Sequence, residues 1–165
     1  DYAYVHSREN FHFIPGALEG AAELVRKGHQ LIIVTNQSGI GRGKYSIDQF
    51  RELTFWLAGV FARNHAPLSA VYFCPHHPTH ASAPYLKDCD CRKPNPGMLL
   101  QAARDLNIDL TQSVLIGDKT SDIQAAKAAG LSKAVLVQSD GTKPWTDCAV
   151  PHLQTKDLLA AAKLL

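Results

Sequence analysis

Four short apolar runs recur along this chain: Leu31-Ile32-Ile33-Val34, Ala70 to Phe73, Val114-Leu115-Ile116 and Ala134 to Val137. Each is too short for a helix and lacks polar alternation. That is how a strand covered on both faces of a parallel sheet reads. Helical spacings fill the intervals. Leu18, Ala21, Ala22, Leu24 and Val25 follow Pro15-Gly16 and stop at Gly28, and Ile47, Phe50, Leu53, Leu57 and Phe61 follow a candidate capping box of Ser46 and Gln49. Met98, Leu99, Ala102 and Leu106 mark a third helix, and Ile123, Ala126 and Ala129, closed by Gly130, a fourth. Thr155 is expected to cap a terminal helix through Leu165, and residues 1–14, aromatic and aperiodic, to form an ordered surface loop. This alternation predicts an α/β fold: a Rossmann-like three-layer sandwich with a mainly parallel sheet and right-handed crossovers, one domain over residues 1–165.

In such a sheet ligands bind beyond the carboxyl ends of the strands. Three runs here end on polar residues: Thr35-Asn36-Gln37-Ser38-Gly39, the Cys74 segment and Gly117-Asp118. A hydroxyl at a strand end, followed by backbone amides entering a glycine turn, aims several donors at one point and suits a phosphoryl group. The loop continues as Gly39-Ile40-Gly41-Arg42-Gly43-Lys44, adding two cations. It is not a P-loop, because Lys44 precedes Tyr45 rather than Ser or Thr. Asp118 and Asp122, four apart, are placed to offer oxygens to a hard cation such as Mg²⁺, or Asp122 to complement a helix N-terminus. Pro94 biases Lys93 towards an extended backbone, which fixes where that ammonium leaves the chain, and Arg92 beside it suits oxyanions.

The segment from Cys74 to Pro96 holds three of the four cysteines and three of the eight histidines. It contains three prolines before Arg92 and looks like neither helix nor strand, so something must hold it. Cys74, Cys89 and Cys91 with one imidazole from His76, His77 or His80 would close a tetrahedral zinc site with no position left for water, which favours a structural role. Clustered cysteines beside histidines indicate metal in a reducing compartment rather than disulfides. Cys148, beside Trp145, Ala149 and Val150, is expected to be a packed, reduced thiol.

Charge narrows the partners. With 17 Lys and Arg against 15 Asp and Glu, the net charge of +2 leaves no basic footprint for nucleic acid. The apolar runs fall far short of the about 20 residues that span a bilayer, and no basic-then-apolar leader is expected. The expectation is a cytoplasmic monomer acting on a small molecule, with no membrane and no nucleic acid.

Taken together, Thr35-Asn36-Gln37-Ser38-Gly39, Arg92-Lys93-Pro94 and Gly117-Asp118-Lys119-x-x-Asp122 resemble the haloacid dehalogenase superfamily of aspartate-nucleophile phosphatases over nearly the whole chain. GIGRGK, CPHHP and CDCRKPNPGM are similar to its branch acting on small sugar bisphosphates. The resemblance implies a Mg²⁺-dependent phosphatase. Thr35 and Lys93 would hold the phosphoryl group, Asp118 would bind Mg²⁺ and Asp122 would support the site from behind. Asn36 would join the catalytic set, and Asn36, Gln37, Arg42, Arg92 and Lys119 would contact substrate. Cys74, His76, Cys89 and Cys91 would hold zinc in a loop inserted over residues 74–91.

One departure stands out. Such enzymes attack phosphorus with the first Asp of an Asp-x-Asp ending a first strand, and the sole Asp-x-Asp here, Asp88-Cys89-Asp90, lies among the proposed zinc ligands. Asp1-Tyr2 resembles the segment that follows the catalytic loop. The first strand is therefore expected to lie upstream of residue 1. The competing readings are a histidinol-phosphate phosphatase, a DNA 3′-phosphatase, and a fragment that binds phosphate and zinc without turnover.

Overall fold

The computed structural model describes residues 4–138 and 148–165. Asp1-Tyr2 and Trp145, named above, lie outside the described residues. The chain runs as α1 (Ala17–Arg26), β1 (Leu31–Asn36), α2 (Ser38–Gly41), α3 (Ile47–Arg63), β2 (Leu68–Cys74), α4 (Gly97–Leu106), a 3₁₀ turn (Leu110–Gln112), β3 (Val114–Gly117), α5 (Thr120–Ala129), β4 (Lys133–Val137), β5 (Leu153–Thr155) and α6 (Leu158–Leu164). Among the described residues every strand pairing is parallel: β1 with β2, β3 with β4, and β4 with β5. No described helix is long and apolar enough to cross a membrane.

The helix boundaries follow local chemistry. Ser46 and Gln49 form the reciprocal capping box ahead of α3, each satisfying a backbone donor that the first turn leaves unpaired. Gly130 closes α5 in the left-handed conformation, which glycine adopts without a Cβ penalty. The expected cap at Thr155 is corrected. Thr155 is the last residue of β5, and the side chain of Asp157 caps α6 by accepting from Ala160 N at 2.7 Å.

The parallel sheet has an open place, as a first strand lying upstream of residue 1 would leave. It comes in two pieces, β1-β2 and β3-β4-β5. Between them lies a slot of about 810 Å³, lined along one side by Leu31 to Thr35 and along the other by Val114 to Asp118. The expected fully buried strand Leu31–Val34 is half-buried at every position of β1, because its edge towards the slot is open. Each piece has its own core. Leu99, Leu115, Ala125, Ala126 and Ala129 cluster around β3, α4 and α5, joined by Val34 across the slot. Ile40, Tyr45 and Phe50 cluster over β2 with Val71 and Phe73. Helix α1 packs on α6, so the chain's first helix is held against its last. Cys148 is a free, half-buried thiol.

Candidate phosphoryl and metal sites

The carboxyl ends of β1 and β3 meet at one end of the slot, where Lys93 Nζ reaches both Val34 O and Asp122 Oδ1, and β2 ends beside β1. Asn36 pairs with Cys74 as the last register partners of β1 and β2, so the metal loop leaves the sheet beside the Thr35 turn. The side chain of Asn36 then clamps the peptide of Lys93 from both sides: its Nδ2 donates to Lys93 O at 3.0 Å and its Oδ1 accepts from Lys93 N at 3.0 Å. Asn36, expected among the substrate contacts, is thereby engaged in fixing the backbone from which Lys93 departs.

Lys93 Nζ donates to Val34 O at 2.7 Å and forms an ion pair with Asp122 Oδ1 at 2.6 Å; the two side chains are 12% and 6% exposed. The ammonium thus bridges β1 to α5 across the mouth of the slot. Asp122 also accepts from Lys119 N at 3.0 Å through Oδ2, so it caps the helix and holds the lysine at once. Room for it comes from Gly117, where a Cβ would lie 2.4 Å from Asp122 Oδ2.

Thr35 Oγ1 accepts from Gln37 Nε2 at 3.0 Å, and Gln37 Oε1 accepts from the Tyr45 hydroxyl. Burial, followed by the nearby Tyr4, pushes the Tyr45 phenol from its ordinary value near 10 up to about 12, so it stays a neutral donor. Gln37, expected to face substrate, spends its amide on Thr35 and Tyr45. Tyr45 itself was not singled out by sequence reasoning except as the residue that breaks a P-loop pattern. The available signal was a large aromatic between a glycine loop and a helix cap.

Asp118 and Lys119 are exposed at the end of β3, and Asp118 lines the slot together with Thr35, Lys93 and Asp122. Arg92 is turned back onto the metal loop, donating to His76 O at 3.2 Å. Arg42 lines a different cavity, of about 400 Å³, with His80, Ala81 and Ser82; its buried Nε has no hydrogen-bond partner. The structure therefore brings together Thr35, Lys93, Asp118 and Asp122, and sets Arg42 apart from them.

Cys74, His76, Cys89 and Cys91 converge, with all four ligand atoms within 4.8 Å of one another. Five of the six edges run from 3.0 Å for Cys74 to Cys91 to 3.6 Å for Cys74 to Cys89 and for Cys74 to His76 Nδ1. Zinc–sulfur bonds of about 2.3 Å in a tetrahedron need edges of roughly 3.5–3.8 Å, so the cage is close to zinc dimensions. The nitrogen is His76. His77 Nδ1 is instead occupied by the backbone amides of Thr79 and His80, at 3.2 and 3.0 Å. Burial, then the neighbouring thiols, pushes the Cys74 thiol far up, and burial raises Cys91 as well. Three cysteine sulfurs and one imidazole nitrogen are a donor set that fits zinc, which cysteine binds as thiolate. Burial, then the charge of Lys87, lowers His76 and keeps its imidazole neutral, as a ligand must be.

A hydroxyl, a fixed ammonium and an exposed carboxylate are gathered at the carboxyl ends of parallel strands, in a fold of the HAD-like hydrolase class. The HAD-hydrolase-like family model matches residues 90–161, from the metal loop through α6. The chain is 48% identical over 147 residues to the D-glycero-beta-D-manno-heptose-1,7-bisphosphate 7-phosphatase of Vibrio cholerae, covering 89% of this chain and 78% of that protein. It is 46% identical over 139 residues to the protein of that name from Escherichia coli K12, covering 84% and 73%. A crystal structure of D,D-heptose 1,7-bisphosphate phosphatase from B. bronchiseptica, complexed with magnesium and phosphate, superposes with a TM-score of 0.86 at 31% identity, covering 98% of this chain and 88% of that one. This chain belongs to the heptose-bisphosphate phosphatase family of HAD-like hydrolases.

Proposed function

We infer that this protein is a Mg²⁺-dependent phosphatase that removes the 7-phosphate of D-glycero-D-manno-heptose 1,7-bisphosphate. The observation that carries the reading is the meeting of Thr35, Lys93 and Asp118 at one end of the slot, in a chain whose relatives are named for that reaction. Thr35 and the amides of the following turn receive the phosphoryl oxygens, and Lys93 offsets their charge. Asp118 supplies an oxygen to Mg²⁺, which neutralises further phosphoryl charge when bound. Asp122 holds Lys93 in place, and the zinc cage holds the loop that delivers it. Lys119, exposed at the end of β3, serves the remainder of the substrate, and Arg92 would join it on leaving the His76 carbonyl. Residues 1–165 belong to one domain, which works as a monomer in the cytoplasm.

The attacking carboxylate belongs to a strand that fills the slot. Asp122 is committed to Lys93 and Lys119, and Asp88 and Asp90 are exposed beside Cys89 on the metal loop. The slot has the length of five residues on either side, about 16 Å of strand, and its polar end is where such a strand would finish. From there the first carboxylate of the Asp-x-Asp attacks phosphorus, the ester P–O bond breaks and the sugar oxygen takes a proton from the second Asp; that Asp then takes a proton back from the water that hydrolyses the acyl phosphate. The test is phosphate release from the heptose bisphosphate with Mg²⁺, by residues 1–165 with and without a preceding apolar strand that ends in Asp-x-Asp. Release by the first alone is expected. No release from the strand-bearing protein would overturn the reading. The second reading, phosphate binding without turnover, applies to residues 1–165 alone and is favoured by the open edges of β1 and β3.

A further inference from the structure

The relay from Tyr45 through Gln37 to Thr35 has a direction. The Tyr45 ring is 6% exposed, stacked by His6 at 5.4 Å with the planes 2° apart, and tilted against Tyr4 at 6.3 Å. It lies so close to the turn that a Cβ on Gly39 would come within 2.2 Å of its Cε1, so the phenol has one place to go. Its hydroxyl donates to Gln37 Oε1. That fixes the rotation of the amide, and the NH₂ end then faces Thr35 Oγ1 at 3.0 Å. The backbone of Gln37 is pinned as well, its N–H donating to Cys74 O at 2.7 Å.

An NH₂ group only donates, so Thr35 Oγ1 accepts. A threonine hydroxyl has one proton and two acceptor lone pairs; with a lone pair already engaged by Gln37, the proton is left to point elsewhere, and the slot end with Lys93 and Asp118 is open to it. A phosphoryl oxygen only accepts, which makes the donor orientation of Thr35 the useful one. We propose that Tyr45 and Gln37 are positioning residues that set the Thr35 hydroxyl as a hydrogen-bond donor to the phosphoryl group. The proposal rests on the reading of Thr35 as a phosphoryl contact. It places a determinant of that contact ten residues further along the chain, beneath the turn, on a side chain that never meets substrate.

The experiment measures the dissociation constant of inorganic phosphate, with Mg²⁺, by calorimetry on the full chain and on Thr35→Val, Tyr45→Phe, Gln37→Glu and the two double variants carrying Thr35→Val. Tyr45→Phe keeps the ring and its stacking and loses only the hydroxyl. Gln37→Glu puts an acceptor where the NH₂ was, so the Thr35 proton turns towards it. Loss of a hydrogen bond to a charged partner weakens binding about tenfold, expected for Thr35→Val. Tyr45→Phe is expected to weaken it several-fold and Gln37→Glu at least as much. In the Thr35→Val background Tyr45→Phe is expected to change nothing, and Gln37→Glu to keep only the repulsion of its added charge, which the cycle subtracts. A structural role alone would lower the melting temperature and act equally in both backgrounds. Equal effects in both backgrounds would overturn the positioning role while leaving the phosphate site intact. Unchanged binding in Thr35→Val would overturn the Thr35 contact and the relay with it.

Discussion

The residue that joins most of the site is Lys93. Its ammonium sits between a carbonyl of β1 and a carboxylate of α5, both groups being nearly enclosed. Removing one member of such a pair leaves the other charged and without its counter-ion, at a cost of about 3–5 kcal/mol. Asp122→Ala is therefore expected to lower the melting temperature by roughly 10 °C, read by calorimetry, and to abolish phosphate binding because Lys93 is released. Asp122→Asn, which keeps an acceptor for Lys119 N, should lose less stability. Tyr45 makes a different kind of prediction. Its folded pKa of about 12 lies above the ordinary value near 10, so folding favours the protonated phenol. Its contribution is complete below pH 10 and is lost as pH rises from 10 to 12. Denaturant unfolding of wild type and Tyr45→Phe across that window should show the wild type losing stability more steeply with rising pH. That Thr35, Lys93, Asp118 and Asp122 come together was legible because residue type, strand-end position and family resemblance agreed. The partners of Asn36 and Gln37 were not, because which way an amide turns depends on residues 57 positions away in one case and eight in the other.

The metal loop is an element with almost no secondary structure of its own. One isolated bridge, His77 to Leu86, interrupts it, and its ends are a strand terminus at Cys74 and the start of α4 at Gly97. Four converging donors stand where backbone ladders do not. Lys93 leaves the chain two residues after Cys91, so the cage and the phosphate site share a backbone segment. Chelation, or Cys89→Ser, is expected to lower the melting temperature by about 10 °C and weaken phosphate binding in the same titration; tight phosphate binding by protein shown by metal analysis to be zinc-free would break that link. Spacing alone could not choose among His76, His77 and His80. The choice is made by the Thr79 and His80 amides that occupy His77. Helix α3 was the most readable element, since its capping box is local chemistry, and Ser46→Ala should cost about 1 kcal/mol in chemical unfolding. Strand β5 was missed because Leu153-Gln154-Thr155 has no apolar run. It is a strand only through its pairing with β4, a long-range fact that three residues cannot announce.

At the scale of the whole molecule, alternation of apolar runs and helices predicted a parallel α/β sheet, and all pairings among the described residues are parallel. Strand order was not legible, because it is set by which crossovers pack together rather than by any run's composition. The slot follows from that order. It leaves β1 and β3 with edges that no described strand pairs, and unpaired edge amides exchange rapidly. Hydrogen exchange on residues 1–165 should therefore show alternate amides of β1 and β3 unprotected, and the same amides protected once an apolar strand precedes residue 1.

The ammonium of Lys93 spans the mouth of that slot, tied to β1 on one side and α5 on the other. Whatever strand enters must finish against it, so the charge that would greet a phosphate also reports whether the two half-sheets have been brought to the right separation. Assembly of the sheet and readiness for chemistry would then be a single event, and a mis-seated strand would give a molecule that neither closes nor turns over.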